Sequence, residues 1–326
     1  MTSPDRPLIV RLRNWVGDVV LGVPMLQRLH DEGYALQLIG KRWAVDLLAG
    51  CGWPVHVLPK SLGERVRQLR GLARLARQAD PAFDRRINAI ALPYSFSSAL
   101  EMRLAGLRAI GHAHEGRSLL LSHAVPHPRQ DARTRQQHEL EIYWHLGSAL
   151  LQQPKALPQQ IALPISARHQ EQALALQAEH RLRPGYIVIC PFAGGTFAGQ
   201  DKTWPEFAAF VSEDMPKWQH DVVVCPGPGE EEQATRAFAA ARCLPGVDLG
   251  TYAALLKSAA LMVSNDTGPG HLAAAVGTPL LSVLGPSDPS QWRAWGPTVQ
   301  LVQGAGSWPT RQAVAERAHA MLSGLG

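Results

Sequence analysis

Short runs of consecutive apolar residues alternate along this chain with longer stretches whose apolar residues recur every three to four positions. The first pattern suits strands and the second amphipathic helices. Leu8–Arg13, Ala35–Gly40, Val55–Pro59, Ile87–Pro93 and Ala109–His112 read as strands. Between them Asp18–His30, Arg42–Ala49, Leu62–Ala79 and Ser95–Ala105 read as helices. In Leu62–Ala79 the residues Leu62, Val66, Leu69, Leu72, Ala73 and Ala76 share one helical face. The segment 116–133 reads as irregular and Arg135–Leu151 as a helix. A Pro-containing stretch, Gln152–Pro164, then breaks the periodicity like a linker.

A second alternating series follows. Its strands are Tyr186–Pro191, Asp221–Pro226, Leu261–Asp266 and Leu280–Gly285. Its helices are Ala167–His180, Pro205–Asp214, Glu230–Ala241, Tyr252–Ser258, Pro269–Val276 and, last, Pro309–Leu322. Strand–helix alternation of this kind predicts an α/β protein with parallel sheets covered on both faces. Two such series around a linker predict two Rossmann-like, doubly wound domains, residues 1–160 and 165–308, facing a cleft. Ligands of such sheets bind beyond the carboxyl ends of the strands, so the chemistry is expected in the loops after them.

Composition narrows this reading. No stretch approaches the roughly 20 consecutive apolar residues of a membrane span, and no secretory signal opens the chain, so a cytosolic protein is expected. The cysteines Cys51, Cys190, Cys225 and Cys243 form no CxxC pair, which argues against a disulfide framework or a zinc site. A net charge of +5 favours anionic partners such as a sugar nucleotide, a phosphorylated glycolipid or an acidic membrane face, without singling out nucleic acid. The arginines of the third helix (Arg65, Arg67, Arg70, Arg74, Arg77) read as a solvated face. His112, His114, His123, His127, His138 and His145 crowd one region at spacings that fit no metal template, and read as loop or core histidines.

Candidate chemistry concentrates in four loops. After the first strand, Gly17 allows an unusual backbone angle or close ligand approach, and Asp18 opens a helix, either as a cap or as a general base. After Leu261–Asp266, the sequence Asp266-Thr267-Gly268-Pro269-Gly270-His271 starts a helix whose N–H groups suit a phosphate, with the Thr267 hydroxyl and His271 beside them. After Tyr186–Pro191 come Gly194, Gly195 and Thr196, then Lys202, which can neutralise a diphosphate; the register is not that of a P-loop. After Asp221–Pro226, Glu230, Glu231 and Glu232 offer a carboxylate to ribose hydroxyls, or simply complement a helix dipole. No G-x-G-x-x-G follows the first strand and no D-x-D follows an apolar run, so neither a nicotinamide cofactor nor metal-dependent sugar transfer is expected.

The segments GDVVLGVPML, DKTWPEF and SNDTGPGHLAAAVGTPLLSVLGPSDPSQWRAWGP resemble glycosyltransferase family 9, the ADP-heptose:lipopolysaccharide heptosyltransferases, most nearly the heptosyltransferase II group that adds the second heptose. The resemblance implies a GT-B fold, with the acceptor glycolipid on the N-terminal domain, ADP-heptose on the C-terminal one, and the helix at 309–323 packed back on the N-terminal domain. It implies inverting transfer with Asp18 as base, Lys202 near the diphosphate, and Asp266, Thr267, Gly268 and His271 in the donor loop. Glu230 or Glu231 is implied for the ribose. The implied partners are ADP-heptose and a lipopolysaccharide core acceptor, with peripheral contact at the inner membrane, no nucleic acid and no cofactor. Rival readings are a family 9 transferase for another core sugar or a protein acceptor, a sugar-nucleotide epimerase of the same plan, and a non-catalytic sugar-nucleotide-binding subunit.

Overall fold

Leu8, Ile9 and Val10 are all inaccessible to solvent, although successive side chains of a strand point to opposite faces. Such a strand needs a covering layer on each side, as in parallel α/β sheets. The computed structural model has this arrangement; it describes residues 5–131, 134, 136–194, 196–197, 200–285 and 288–324, without the side chains of 130, 196, 197, 200 and 201. The chain divides into two compact units, Met1–Leu48 with Gly52–Pro158 and Ala49–Cys51 with Gln159–Gly326. Among the described residues no helix is long and apolar enough to cross a membrane.

The first unit runs β1 (Arg6–Arg11), α1 (Val16–Asp31), β2 (Tyr34–Gly40), α2 (Trp43–Leu47), β3 (Val55–Val57), α3 (Leu62–Ala79), β4 (Ala89–Ala91), α4 (Phe96–Leu104), β5 (Ala109–Ala113), β6 (His123–Pro126) and α5 (Glu139–Leu151). Its sheet is parallel, in the order β3-β2-β1-β4-β5-β6. Helix α3 has the bounds its periodicity predicts. Ser61 and Glu64 close a reciprocal capping box at its start, and Val66, Leu69, Ala73 and Ala76 face the core.

The second unit runs α6 (Ala167–Glu179), β7 (Ile187–Cys190), a small antiparallel pair β8 (Thr196–Phe197) and β9 (Gln200–Asp201), α7 (Phe207–Ala209), β10 (Val222–Val224), α8 (Glu231–Ala237), β11 (Arg242–Cys243), α9 (Leu249–Lys257), β12 (Leu261–Asn265), α10 (Gly268–Val276), β13 (Leu280–Leu284), β14 (Val299–Gln303) and α11 (Arg311–Leu322). The main sheet is again parallel, in the order β11-β10-β7-β12-β13-β14. Both sheets thus have the doubly wound order, with β1 and β7 in equivalent places.

The structure corrects several expectations. Strand β6 lies inside the supposedly irregular segment 116–133, and β11 and β14 had no counterpart in the sequence reading. Helix α5 begins at Glu139 rather than Arg135. The helix expected over Pro205–Asp214 is a single turn, α7, running into a π-helical turn at Phe210–Asp214. The closing helix α11 belongs to the second unit: Val314 and Ala318 are fully buried in that unit's core, with Trp204, Phe207 and Phe210, so it is not part of the first unit as expected.

Candidate active site

In a doubly wound sheet, ligands collect where the strand order reverses. In the first unit this point lies between β1 and β4. Asp18 follows β1 and Tyr94 follows β4. Asp18 is not a helix cap: the cap position is Trp15, which is extended and makes no side-chain capping bond. Instead Asp18 Oδ1 accepts hydrogen bonds from Tyr143 Oη at 3.1 Å and Arg13 Nη2 at 3.5 Å. The side chain is 11% exposed. Burial pushes the carboxyl above the usual aspartate range; Arg13 opposes the shift and Glu139 adds to it. Burial also works against the Arg13 charge, but Tyr143, Asp18 and Glu139 outweigh it and the guanidinium pKa is raised. The same guanidinium lies 4.3 Å from the centre of the Tyr94 ring. Gly17 lies buried in the first turn of α1 and is not among the glycines with positive φ, so of the two readings of this glycine, unusual backbone angle or close ligand approach, the first does not hold.

The loop carrying Arg13 is braced from below. Arg11, buried in β1, donates Nε to Glu101 Oε1 at 3.2 Å and Nη2 to Asn14 Oδ1 at 3.1 Å, while Nη1 reaches Leu12 O. Glu101 is 1% exposed and also draws Arg65 to 3.6 Å. Other arginines of α3 likewise have local partners: Arg70 donates to Leu104 O at 2.9 Å and Arg77 to Asp84 at 2.7 Å. Helix α5 comes close to α1 because of Gly147, where a Cβ would stand 2.6 Å from Met25 Cγ. That approach brings Tyr143 to Asp18.

The reversal point of the second sheet lies between β7 and β12. Asn265, fully buried at the end of β12, ties its surroundings together: Nδ2 donates to Pro191 O at 2.5 Å, and Oδ1 accepts the Trp204 N–H at 3.0 Å. Trp204 is itself a core residue whose Nε1 donates to Pro309 O at 3.1 Å. The anchored tryptophan sets the chain that carries Lys202, whose Nζ lies 4.0 Å from Asp266 Oδ2. Burial raises the Asp266 carboxyl pKa, with Lys202 opposing. His271 is buried, and its Nδ1 has no hydrogen-bond partner among the described residues. Burial, and then Lys202, push its pKa down to about 4, so the ring is neutral near pH 7.

Thr267 occupies the cap position of α10 without a side-chain capping bond, and Gly268 is its first helical residue. Pro269 has no N–H, and that of Gly270 donates to Thr267 O at 3.0 Å. Among the described residues the N–H groups of Thr267, Gly268 and His271 make no backbone hydrogen bond, so they are donors this turn can offer. A Cβ at Gly270 would meet Ser264 Oγ at 2.9 Å, which accounts for the glycine. Lys202, Asp266, Thr267 and His271 thus converge around one helix terminus, a setting suited to a diphosphate.

Residues 73–320 match the family model described as glycosyltransferase family 9 (heptosyltransferase). The chain belongs to that family. Family 9 relatives include a lipopolysaccharide heptosyltransferase 2 of Salmonella typhimurium, 25% identical over 296 residues, 85% of this chain and 82% of the relative. A lipopolysaccharide heptosyltransferase 3 of Escherichia coli is 33% identical, over 34% of either chain. The alignments to heptosyltransferase 3 and 1 of Escherichia coli span only about a third to two fifths of those proteins. The solved structure of Escherichia coli ADP-heptose lipopolysaccharide heptosyltransferase II superposes with a TM-score of 0.77 at 23% identity, covering 98% of this chain and 99% of that one. The family 9 chain therefore has the α/β GT-B fold.

The remaining site candidates of the family 9 chain are placed less decisively. Glu230 and Glu231 stand at the start of α8 and turn back on their own loop: Glu230 Oε2 accepts the Gly227 N–H and Glu231 Oε2 the Gly229 N–H, each at 2.8 Å. Glu232 pairs with Arg236 on the exposed face. Thr196 falls in β8 with its side chain outside the described part, and Gly195 lies outside the described residues. Reading the sequence missed Arg13, Tyr94, Glu139 and Tyr143. The one local signal was that Glu139 and Tyr143, four apart, share a face of α5. Of the six histidines expected in loops or core, His112, His127 and His138 are buried, and His112, His114 and His127 surround the Tyr94 ring.

Proposed function

We propose that this protein is an inverting heptosyltransferase that moves heptose from ADP-L-glycero-D-manno-heptose to the inner core of lipopolysaccharide. In this reading the first unit receives the acceptor and the second the sugar nucleotide. Asp18 removes the proton of the acceptor hydroxyl while the hydroxyl oxygen bonds to the anomeric carbon. The anomeric C–O bond to the diphosphate breaks, and its electron pair leaves on ADP. Lys202 and the Thr267–Gly268 turn offset the charge gathering on the leaving group. Neutral His271 contributes a hydrogen bond rather than a charge, and Asp266 holds Lys202 in place. Glu230 or Glu231 takes the ribose hydroxyls. No cofactor enters the scheme. The excess of basic residues suits a protein working peripherally at the anionic inner face of the inner membrane, on the cytoplasmic side.

The observation that carries this reading is the Asp18 carboxylate. It sits at the sheet's reversal point, is released from capping, and is held by Oδ1 in surroundings that favour its taking a proton. The test is ADP release from ADP-heptose against core glycolipids truncated at successive sugars, with mass analysis of the product. The expected result is ADP release with core truncated after its first heptose, and a product heavier by one heptose. Alteration of the sugar nucleotide without any acceptor, or no release with any glycolipid of the series, would contradict it.

A further inference from the structure

The buried residues behind Asp18 have no place in the scheme so far. Glu139, at the first position of α5, is fully buried. Its Oε1 accepts the Tyr94 hydroxyl at 2.6 Å and its Oε2 accepts Arg129 Nη2 at 2.6 Å. One turn along α5, the fully buried Tyr143 hydroxyl donates to Asp18 Oδ1 and also lies within hydrogen-bonding reach of Glu139. A phenol has one proton to give. Two carboxylates therefore compete for it, and the one facing the reaction is Asp18. Both donors to Asp18, Tyr143 and Arg13, bind Oδ1, so among the described residues Oδ2 has no partner and is the atom left for an acceptor hydroxyl.

Arg13 presents a difficulty that Glu139 resolves. A guanidinium next to a general base holds it in place but makes it a weaker base. A second buried carboxylate nearby restores proton affinity without contacting substrate. We propose that Glu139 and Tyr143 are positioning residues for the base: Tyr143 fixes the Asp18 carboxylate by Oδ1, and the Glu139 charge offsets that of Arg13. The inference rests on the reading of Asp18 as the base.

The charged and titratable groups around this carboxylate come from several elements. Arg13 lies on the loop after β1, Tyr94 on the loop after β4, Arg129 on the turn after β6, and Glu139 and Tyr143 on α5. His112, His114 and His127 pack around Tyr94. Burial lowers the His112 pKa and takes that of His127 down to about 4, so both rings resist gaining a charge beside this cluster. Glu139 itself stays ionised: burial works against its charge, but Arg129, Arg13 and the two phenols outweigh it and lower its pKa. The two carboxylates are thus driven apart, a pattern that divides roles between paired acids.

The test is the pH dependence of single-turnover transfer from ADP-heptose to core truncated after its first heptose, in wild type, Glu139→Gln and Tyr143→Phe, with Asp18→Asn alongside. Removing the Glu139 charge leaves Arg13 unopposed, so the acid limb should move to lower pH. Removing the Tyr143 hydroxyl takes away a donor to the Asp18 anion, so the limb should move to higher pH. Both should lose roughly tenfold in plateau rate, as expected when one hydrogen bond or nearby charge is lost, with ADP affinity unchanged. Opposite displacements are not produced by general loosening. In variants that melt cooperatively and bind ADP, any other pattern overturns the proposal. Should Glu139→Gln not fold, Tyr143→Phe, which loses one oxygen, decides alone. Wild-type turnover in Asp18→Asn would instead bring down the base reading itself, whereas an inactive Asp18→Asn with unmoved limbs would remove only the positioning role.

Discussion

Asp18 carries a cost that most surface aspartates do not. Its pKa is raised in the folded chain, chiefly by burial. The folded state therefore binds its proton more tightly than the unfolded state, and this group's contribution to stability falls as pH rises from the usual aspartate value of about 3.9 through the raised one. At neutral pH the ionised carboxylate is a net burden. Asp18→Asn is accordingly expected to melt no lower than wild type near pH 7; a melting temperature several degrees lower would show the carboxylate to be structural. Such a trade of stability for function is common at active sites. Asp18, Lys202, Asp266 and His271 were legible in the sequence because each is a chemistry-bearing side chain just past a strand or at a helix start. Glu139 and Tyr143 were not, because Tyr143 meets Asp18 across 125 positions of chain. Asn265 was equally hidden: it reads as part of an apolar strand, and its two hydrogen bonds reach segments 61 and 74 residues away.

The sequence motifs also acquire mechanical meanings at the level of elements. In GTP, after α10, Gly277 takes the left-handed cap conformation at φ +85°, Thr278 is buried with Oγ1 donating to Leu256 O at 2.8 Å, and Pro279 ends the helix. In DKTWPEF, Trp204 packs with Phe207 and Phe210. Of the strands of the two main sheets, the three that escaped the periodicity reading, β6, β11 and β14, are all sheet edges. None of the three contains a fully buried residue, so none has the continuous apolar run of β1 or β12. Helix pairing is where an element-level change should reach the chemistry. Gly147→Ala would place a methyl 2.6 Å from Met25 Cγ and force α5 away from α1 or Met25 aside. Overpacking of this kind costs about 1–3 kcal/mol. Denaturant unfolding should show that loss, and transfer should slow while ADP binding, which the proposed function assigns to the other unit, stays unchanged. Weakened ADP binding in this variant would contradict the assignment of α1 and α5 to the acceptor side.

Two units, each with its own core and its own doubly wound sheet, make up the whole molecule. That there are two such sheets was readable because central parallel strands are buried on both faces and therefore apolar throughout. The membership of α11 was not readable, since a short amphipathic helix at a chain end does not encode which sheet it covers. Each unit contains a histidine whose pKa burial pushes down to about 4 from an ordinary 6.5: His127 in the first and His271 in the second. Between those two values the unfolded chain binds more protons than the folded one, so stability rises with pH across the window and is lost on acidification through it. Urea titrations from pH 7 to pH 4 should show this decline. His271→Gln should flatten it for the second unit without touching the first; an unchanged slope would mean that His271 does not resist protonation.

Single-turnover transfer from ADP-heptose by Asp18→Asn, with ADP affinity and melting temperature measured on the same sample, isolates the proton-accepting step. The expected result is wild-type ADP binding, an intact fold and transfer slowed by about 10²–10⁴-fold. Transfer within about threefold of wild type, well short of the loss expected for a general base, would contradict the assignment of Asp18 as the base.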